Sequence, residues 1–194
     1  MPRLGILALQ GDVREHQATV KSLGLDALAV RTPQQLDEVD ALILPGGEST
    51  AIAHLLVTSG LREPLAARLK DGMAAFGTCA GLIALSAEVL DGRSDQWSFA
   101  ALDVAVRRNG YGRQVASFET PIDVEGLGFV PGVFIRAPRI ERWGADVEFL
   151  ASHNHGDGEH PVLIRQGAVW GCSFHPELTS DNQIHGLFLG HAGF

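Results

Sequence analysis

The fold and the chemistry of this chain are both indicated by the stretch Phe76-Gly77-Thr78-Cys79-Ala80-Gly81-Leu82, in which a cysteine stands between two glycines. A short apolar run precedes the cysteine and an apolar helical pattern follows it, which predicts a strand-to-helix turn. Such a turn is typical of a nucleophile elbow, where glycines avoid clashes with neighbouring backbone. The positive end of the helix dipole also favours a thiolate. We therefore predict that Cys79 is a nucleophile, with a buried structural cysteine as the alternative.

Short apolar runs on the amino-terminal side of this stretch alternate with helical patterns. Asp12 is the predicted N-cap of the first helix, and Gly24 is the signal that ends it. Because the apolar runs do not alternate with polar residues, we expect a parallel sheet that helices cover on both faces. Strands are predicted at residues 4–9, 27–30, 41–44 and 73–76, and helices at residues 13–23, 49–58 and 61–69.

The pattern changes after about residue 91, where glycines and prolines interrupt Val- and Phe-rich runs at short intervals. This pattern is typical of β-hairpins, which we expect to be added to one side of the sheet. Strands are predicted at residues 102–106, 128–135, 147–151, 161–164 and 168–174, and a last helix at residues 182–189. We therefore expect one α/β domain over residues 1–194, with a three-layer, mostly parallel sheet, helices on both faces and added antiparallel strands.

Composition excludes several classes of protein. The 194 residues are 45% hydrophobic and carry a net charge of −8, which argues against disorder and against nucleic-acid binding. No apolar run reaches the roughly 18 residues of a membrane span, and the amino-terminal run is too short for a secretory signal. Two cysteines do not make a disulfide framework, and Cys172 lies in a strand-like run that predicts a core position. We expect a soluble, cytoplasmic protein.

A cysteine nucleophile needs a base, and His175 is the candidate among eight histidines. It ends an apolar run, and Pro176 biases it towards extended backbone. Residues two apart then project to the same side, so Glu177 is predicted to lie beside His175 and accept a hydrogen bond from one imidazole nitrogen. The alternative is a solvated His-Pro-Glu turn.

The other histidines are interpreted as structural. Solvated or capping positions are predicted for His16, His54, His185 and His191. A surface loop is predicted for His153, His155 and His160, because their spacing fits no closed zinc site.

Attack on a carbonyl also requires donors for the developing oxyanion. The backbone N–H of Ala80 is one candidate, and Gly47 in the loop Pro45-Gly46-Gly47-Glu48-Ser49 is the other. That loop lacks the ending of a P-loop, which argues against a phosphate cradle. Arg108 and Arg136 end strand-like runs and are candidates for pairing with a substrate carboxylate, with surface arginines as the alternative.

Taken together, these motifs resemble the class I, triad-type glutamine amidotransferases, which have a flavodoxin-like core. A narrower resemblance is to the glutaminase subunits of pyridoxal 5′-phosphate synthases. The narrower resemblance rests on Leu7-Ala8-Leu9-Gln10-Gly11-Asp12-Val13-Arg14-Glu15-His16, Arg108-Asn109-Gly110-Tyr111-Gly112-Arg113-Gln114 and Phe134-Ile135-Arg136-Ala137-Pro138.

This resemblance implies a reaction and a set of roles. Cys79 would be the nucleophile, His175 the base and acid, and Glu177 its orienting partner. L-Glutamine would be hydrolysed to glutamate and ammonia through a glutamyl thioester, and the ammonia would pass to a partner synthase subunit. Neither a metal nor an organic cofactor is implied. Contacts to glutamine are implied for Gly47, Glu48, Ser49, Arg108, Ile135 and Arg136, and the oxyanion hole would be formed at Gly47 and Ala80.

Three alternatives remain. The chain could be a glutaminase of the same class that serves imidazole glycerol phosphate synthesis, although Ala80 and the segment beginning at Arg108 favour the first interpretation. It could be a non-catalytic binding module, against which the presence of all three triad residues argues. A cysteine peptidase would need an open cleft.

Overall fold

The computed structural model describes residues 1–93, 96–111, 117–156 and 158–194. Gly112, Arg113 and Gln114, which belong to one of the motifs that carry the resemblance, lie outside the described residues, as does Asp157.

Strands from both ends of the chain meet in one central sheet. The strands of the described part are β1 (Leu4–Leu7), β2 (Ala27–Val30), β3 (Ala41–Leu44), β4 (Ala74–Thr78), β5 (Ser86–Val89), β6 (Leu102–Arg107), β7 (Ser117–Val124), β8 (Gly128–Ile135), β9 (Arg139–Trp143), β10 (Glu148–Asn154), β11 (Glu159–Gln166) and β12 (Val169–Cys172). Seven of them form a sheet in the order β10-β11-β12-β4-β3-β1-β2. The five strands from β12 to β2 are parallel, whereas β10, β11 and β12 pair antiparallel.

Helices cover both faces of this sheet, as predicted. The helices are α1 (Val13–Ser22), α2 (Pro33–Asp37), α3 (Ser49–Thr58), α4 (Arg62–Lys70), α5 (Ala80–Leu85) and α6 (Gln183–His191). Alternate strand residues face opposite sides, so Ile43 joins a core with α1 and α6, and Leu42 joins a second core with α3, α4 and α5. No helix in the described part is long and apolar enough to span a membrane.

The other five strands of the described part form two smaller sheets. One contains β5, β6 and β9, and the other is the hairpin of β7 and β8. The predicted surface loop around His153 and His160 is wrong, because these two residues pair across the β10–β11 hairpin. The ring centroid of His155 lies 4.0 Å from that of Tyr111 and 4.8 Å from that of Phe118. This segment therefore packs against aromatic side chains of the protein.

The turn after β4 has the tight geometry that the glycine pattern predicts. Cys79 has a φ of 49°, which is unusual for a residue with a side chain. A Cβ atom on Gly77 would lie 2.5 Å from the carbonyl carbon of Gly81, and one on Gly81 would lie 2.0 Å from the carbonyl oxygen of Leu44. Both positions therefore require glycine, because the backbone of the turn touches the backbone of its neighbours.

We expect Gly81→Ala to lower the free energy of unfolding by about 1–3 kcal/mol, because the new methyl group meets the backbone of β3. Urea denaturation measures this change. The matched control is Gly190→Ala in α6, where a Cβ atom would meet nothing within 4 Å. There alanine should leave stability unchanged or raise it by up to about 1 kcal/mol. Equal stability of the two variants would contradict the close approach at Gly81.

Candidate active site

Cys79 lies at the carboxyl end of β4, on the floor of a cavity of about 110 Å³. Its side chain is almost buried, with 7% of the residue exposed. The backbone N–H of Cys79 donates to the carbonyl oxygen of Cys172 at 2.8 Å, which ties the turn to the end of β12. Cys172 is fully buried, as predicted, and burial raises the pKa of its thiol well above the usual value.

His175 and Glu177 meet at the same end of the sheet, three and five residues after β12 ends. His175 Nδ1 lies 2.8 Å from Glu177 Oε1, and the backbone N–H of His175 donates to the carbonyl oxygen of Val133. The predicted contact is therefore present, but on a different backbone. Pro176–Leu178 forms a single 3-10 turn, which brings the two side chains together where we expected an extended segment.

The imidazole of His175 is surrounded by groups that favour its protonated form. Burial opposes the positive charge, but side-chain hydrogen bonds with Asp12, Cys79 and Glu177 outweigh it and raise the pKa of His175 to about 12. Cys79 and His175 follow the adjacent strands β4 and β12, which brings the nucleophile and its proposed base to the same edge of the sheet.

Asp12 contributes to this site in a way that its position in the sequence does not reveal. It occupies the predicted N-cap position of α1, but its side chain makes no capping hydrogen bond. Its Oδ2 atom lies 3.4 Å from His175 Nδ1 instead. Asp12, His175 and Glu177 each have one possible metal-ligand atom, and these three atoms lie within 4.8 Å of one another. The 2.8 Å contact between His175 Nδ1 and Glu177 Oε1 is, however, a hydrogen bond.

A buried polar network lies beneath Glu177. Thr78 Oγ1 and His16 Nε2 are each 3.5 Å from Glu177 Oε1, and His16 Nδ1 is 2.9 Å from His185 Nε2. Both histidines are fully buried, so the predicted solvated or capping positions are wrong for them. Burial lowers the pKa of His16 well below its usual value and that of His185 to about 4.

The residues expected to contact glutamine come together around Cys79. The cavity is lined by Gly47, Glu48, Ser49, Cys79, Ile83, Arg108, Asn109, Ile135 and Arg136, which include all six of the predicted contact residues. Ala80, the first residue of α5, does not line the cavity.

Glu48 and Arg108 face each other across the cavity. The Glu48 carboxylate accepts hydrogen bonds from the backbone N–H groups of Thr50 and Ala51, and it lies 3.4 Å from the guanidinium of Arg108. Slight burial opposes the charge of Glu48, but these hydrogen bonds and the arginine lower its pKa. Arg108 also donates to the side chain of Gln96 at 3.1 Å.

Sequence reasoning missed Gln10, which supports the glycine loop. Its side-chain oxygen accepts from the backbone N–H of Glu48 at 2.9 Å and lies 2.4 Å from where a Cβ atom on Gly47 would be. Gln10 therefore fits against Gly47 because a glycine has no side chain to clash with it. The position of Gln10 directly after the first predicted strand was a signal, since ligand sites gather at the carboxyl ends of parallel strands.

Comparison with known proteins agrees with this geometry. The model of the SNO glutamine amidotransferase family matches residues 6–192. The chain belongs to that family. Among its curated relatives, the pyridoxal 5′-phosphate synthase subunit PdxT of Salinispora tropica is 50% identical over 190 residues, covering 96% of this chain and 94% of the relative. The subunit of the same name from Streptomyces avermitilis is 51% identical over 190 residues, covering 97% and 92%.

Solved structures extend the comparison to the fold. A crystal structure of a glutamine amidotransferase superposes with a TM-score of 0.92 at 49% identity, covering 98% of this chain and 99% of the other. The structure of PurLQS from Thermotoga maritima has a TM-score of 0.64 at 16% identity, covering 98% and 95%, and supports the fold alone. The α/β fold of the SNO amidotransferase family is therefore the fold of this chain.

The structure assigns Asp12 an effect on His175 that a single substitution tests. Asp12→Asn should lower the pKa of His175, because it removes a negative charge 3.4 Å from Nδ1. NMR titration of the His175 ring measures this pKa. Asp26→Asn, which alters an exposed ion pair with Lys21, is the control and should leave the pKa unchanged. An unchanged pKa in the Asp12 variant would show that its carboxylate does not act on the imidazole.

Proposed function

We propose that this chain is the glutaminase subunit of a pyridoxal 5′-phosphate synthase. It would hydrolyse L-glutamine to L-glutamate and ammonia and supply the ammonia to the synthase subunit. The observation that carries the proposal is the 2.8 Å pairing of His175 with Glu177 next to Cys79, which itself lines a cavity together with the expected glutamine-binding residues. The half-identical relatives named PdxT support the choice of this synthase.

The geometry supports a two-step reaction. The Cys79 thiolate attacks the side-chain amide carbon of glutamine, and the protonated ring of His175 gives its proton to the leaving nitrogen, so ammonia departs and a thioester remains. His175, now neutral, takes a proton from the water that attacks the thioester, which releases glutamate and restores the thiolate and the protonated imidazole. Glu177 holds the imidazole through Nδ1 and balances its charge during both steps.

The oxyanion that forms in each step needs backbone donors. We assign this role to the N–H groups of Gly47 and Ala80, which flank the cysteine from the glycine loop and from the start of α5. The close approach of the loop supports the assignment, since a Cβ atom on Gly46 would lie 2.4 Å from the ring of His175.

The charged groups of the cavity suit the backbone end of a free amino acid. Arg108 and Arg136 are the proposed partners of its α-carboxylate, and Glu48 is the proposed partner of its α-ammonium group. Arg136 is exposed, has a φ of 44° and makes no hydrogen bond or ion pair with the described residues, so its guanidinium is available to a substrate. Ser49 and Ile135 complete the wall around the substrate.

The remaining parts of the proposal concern the setting of the reaction. Residues 1–194 would act as one glutaminase domain, because β1 and β12 lie in the same sheet. The protein would work in the cytoplasm as part of a hetero-oligomer with the synthase subunit. The charged side chains of the cavity, Glu48, Arg108 and Arg136, favour a free amino acid over the uncharged backbone of a peptidase substrate.

Glutamate release from L-glutamine tests the proposal. We expect activity that rises when the pyridoxal 5′-phosphate synthase subunit is added, and we expect Cys79→Ala to lower it by roughly four orders of magnitude or more, because triad members act as a unit. His175→Asn should be nearly as severe. Circular dichroism of both variants checks that they fold.

The partner is tested by the same assay with the synthase subunit of imidazole glycerol phosphate synthesis. Activation by that subunit alone would contradict the choice of pyridoxal phosphate and favour the other class I glutaminase. Undiminished turnover in Cys79→Ala would contradict the nucleophile itself.

A further inference from the structure

Glu177 is a buried carboxylate whose surroundings are not explained by its contact with His175 alone. It is 4% exposed, and burial raises its pKa, which means that the protein environment disfavours its negative charge. Its Oε2 atom has no hydrogen-bond partner among the described residues. Apart from a hydrogen bond with the backbone N–H of Glu177 itself, the groups that face this carboxylate do so at Oε1, and they are His175, Thr78 and His16.

The hydrogen bonds of Thr78 are consistent with one direction of donation. Its hydroxyl oxygen lies 3.1 Å from the backbone N–H of Gly46, which can only donate, and 3.2 Å from His16 Nε2. If His16 also donates from Nε2, the hydroxyl proton of Thr78 is left to point at Glu177 Oε1, 3.5 Å away. The N–H groups of Gly46 and His16 then donate to Thr78 Oγ1, and the hydroxyl proton of Thr78 points at the carboxylate.

The opposite tautomer of His16 would be electrostatically unfavourable. Its Nε2 lone pair would lie 3.5 Å from Glu177 Oε1, and it would draw the Thr78 proton away from the carboxylate. The burial that lowers the pKa of His16 and His185 keeps both rings neutral, so each ring has one donor and one acceptor nitrogen. His185 Nε2–H then donates to His16 Nδ1 at 2.9 Å.

We propose that Thr78 and His16 are positioning residues for the proposed glutaminase reaction. Thr78 donates to Glu177 Oε1, which holds the carboxylate ionised and aimed at His175, and His16 donates to Thr78, which fixes the direction of that hydroxyl. His16 is the Nε2–H tautomer in this arrangement, and His185 behind it fixes that tautomer. The inference rests on the proposed function, because the catalytic value of Glu177 depends on His175 acting as the base. Neither positioning residue lines the cavity, so they act on the rate and leave substrate binding unaltered.

Two substitutions at one position separate hydrogen bonding from packing. Thr78→Val keeps the shape of the side chain and removes the hydroxyl, whereas Thr78→Ser keeps the hydroxyl and removes a methyl group. With the synthase subunit present, we expect Thr78→Val to lower kcat for glutamine about 10-fold or more with KM nearly unchanged, because a hydrogen bond to a buried charge is lost. Thr78→Ser should retain most of the activity.

His16→Phe tests the second donor without removing the bond between Gly46 and Thr78. It too should lower kcat with little change in KM. Nitrogen-15 NMR of the wild-type protein provides a readout apart from activity: His16 should show a protonated Nε2, and the Nδ1 proton of His175 should shift in Thr78→Val but not in Thr78→Ser.

The inference is overturned if Thr78→Val keeps the wild-type kcat, if Thr78→Ser falls as far as Thr78→Val, or if His16 carries its proton on Nδ1. Failure of the proposed function gives a different result, namely a folded wild-type protein that releases no glutamate with its partner. In that case the catalytic part of the inference falls with it, and the two NMR signals still decide whether Thr78 donates to Glu177 and His16 donates to Thr78.

Discussion

The site depends on the left-handed backbone of Cys79, because that conformation points the sulfur out of the sheet and into the cavity. A residue with a side chain held at a φ of 49° costs on the order of 1–3 kcal/mol, so the surrounding structure must hold it in place. The hydrogen bond from the Cys79 N–H to Cys172 does this on one side, and the hydrogen bond from the Ile83 N–H to the Cys79 carbonyl oxygen does it on the other. The two neighbouring glycines then let the turn pack against β3.

The same contact between β4 and β12 explains how residues far apart in the chain form one site. Cys172 pairs with Thr78 in parallel register, so both strands end at the same edge of the sheet. His175 follows one strand and Cys79 follows the other, and each is carried to the edge where ligands bind in such sheets. The pairing of these two strands therefore positions the residues of the site.

Much of this arrangement could be predicted from local patterns. The bounds of β2, β3 and β8 were predicted correctly. Of these, β3 is a fully buried apolar run that ends at Pro45 and Gly46. The strand β7 was missed, since most of its residues are exposed or half-buried and Pro121 interrupts it. Cys79 and His175 could also be predicted from local pattern, because glycines flank the cysteine and a proline follows the histidine.

Contacts that depend on packing could not be predicted in this way. His16 and His185 lie on helices where a polar residue ordinarily faces water, and only the meeting of α1 and α6 beneath the sheet buries them against Thr78. Asp12 has the right residue type for a helix cap, and nothing local shows that its carboxylate faces His175 instead. Tertiary packing, and no local sequence pattern, places these residues in the site.

The central claim is that Cys79 is a glutamine-directed nucleophile, and covalent labelling with a glutamine-analogue electrophile followed by peptide mass mapping tests it most directly. The account predicts a single adduct on Cys79, protection by excess L-glutamine, and no adduct on Cys172, whose buried thiol serves as the control within the same chain. Equal labelling of the two cysteines, or labelling of Cys79 that L-glutamine does not reduce, would contradict it.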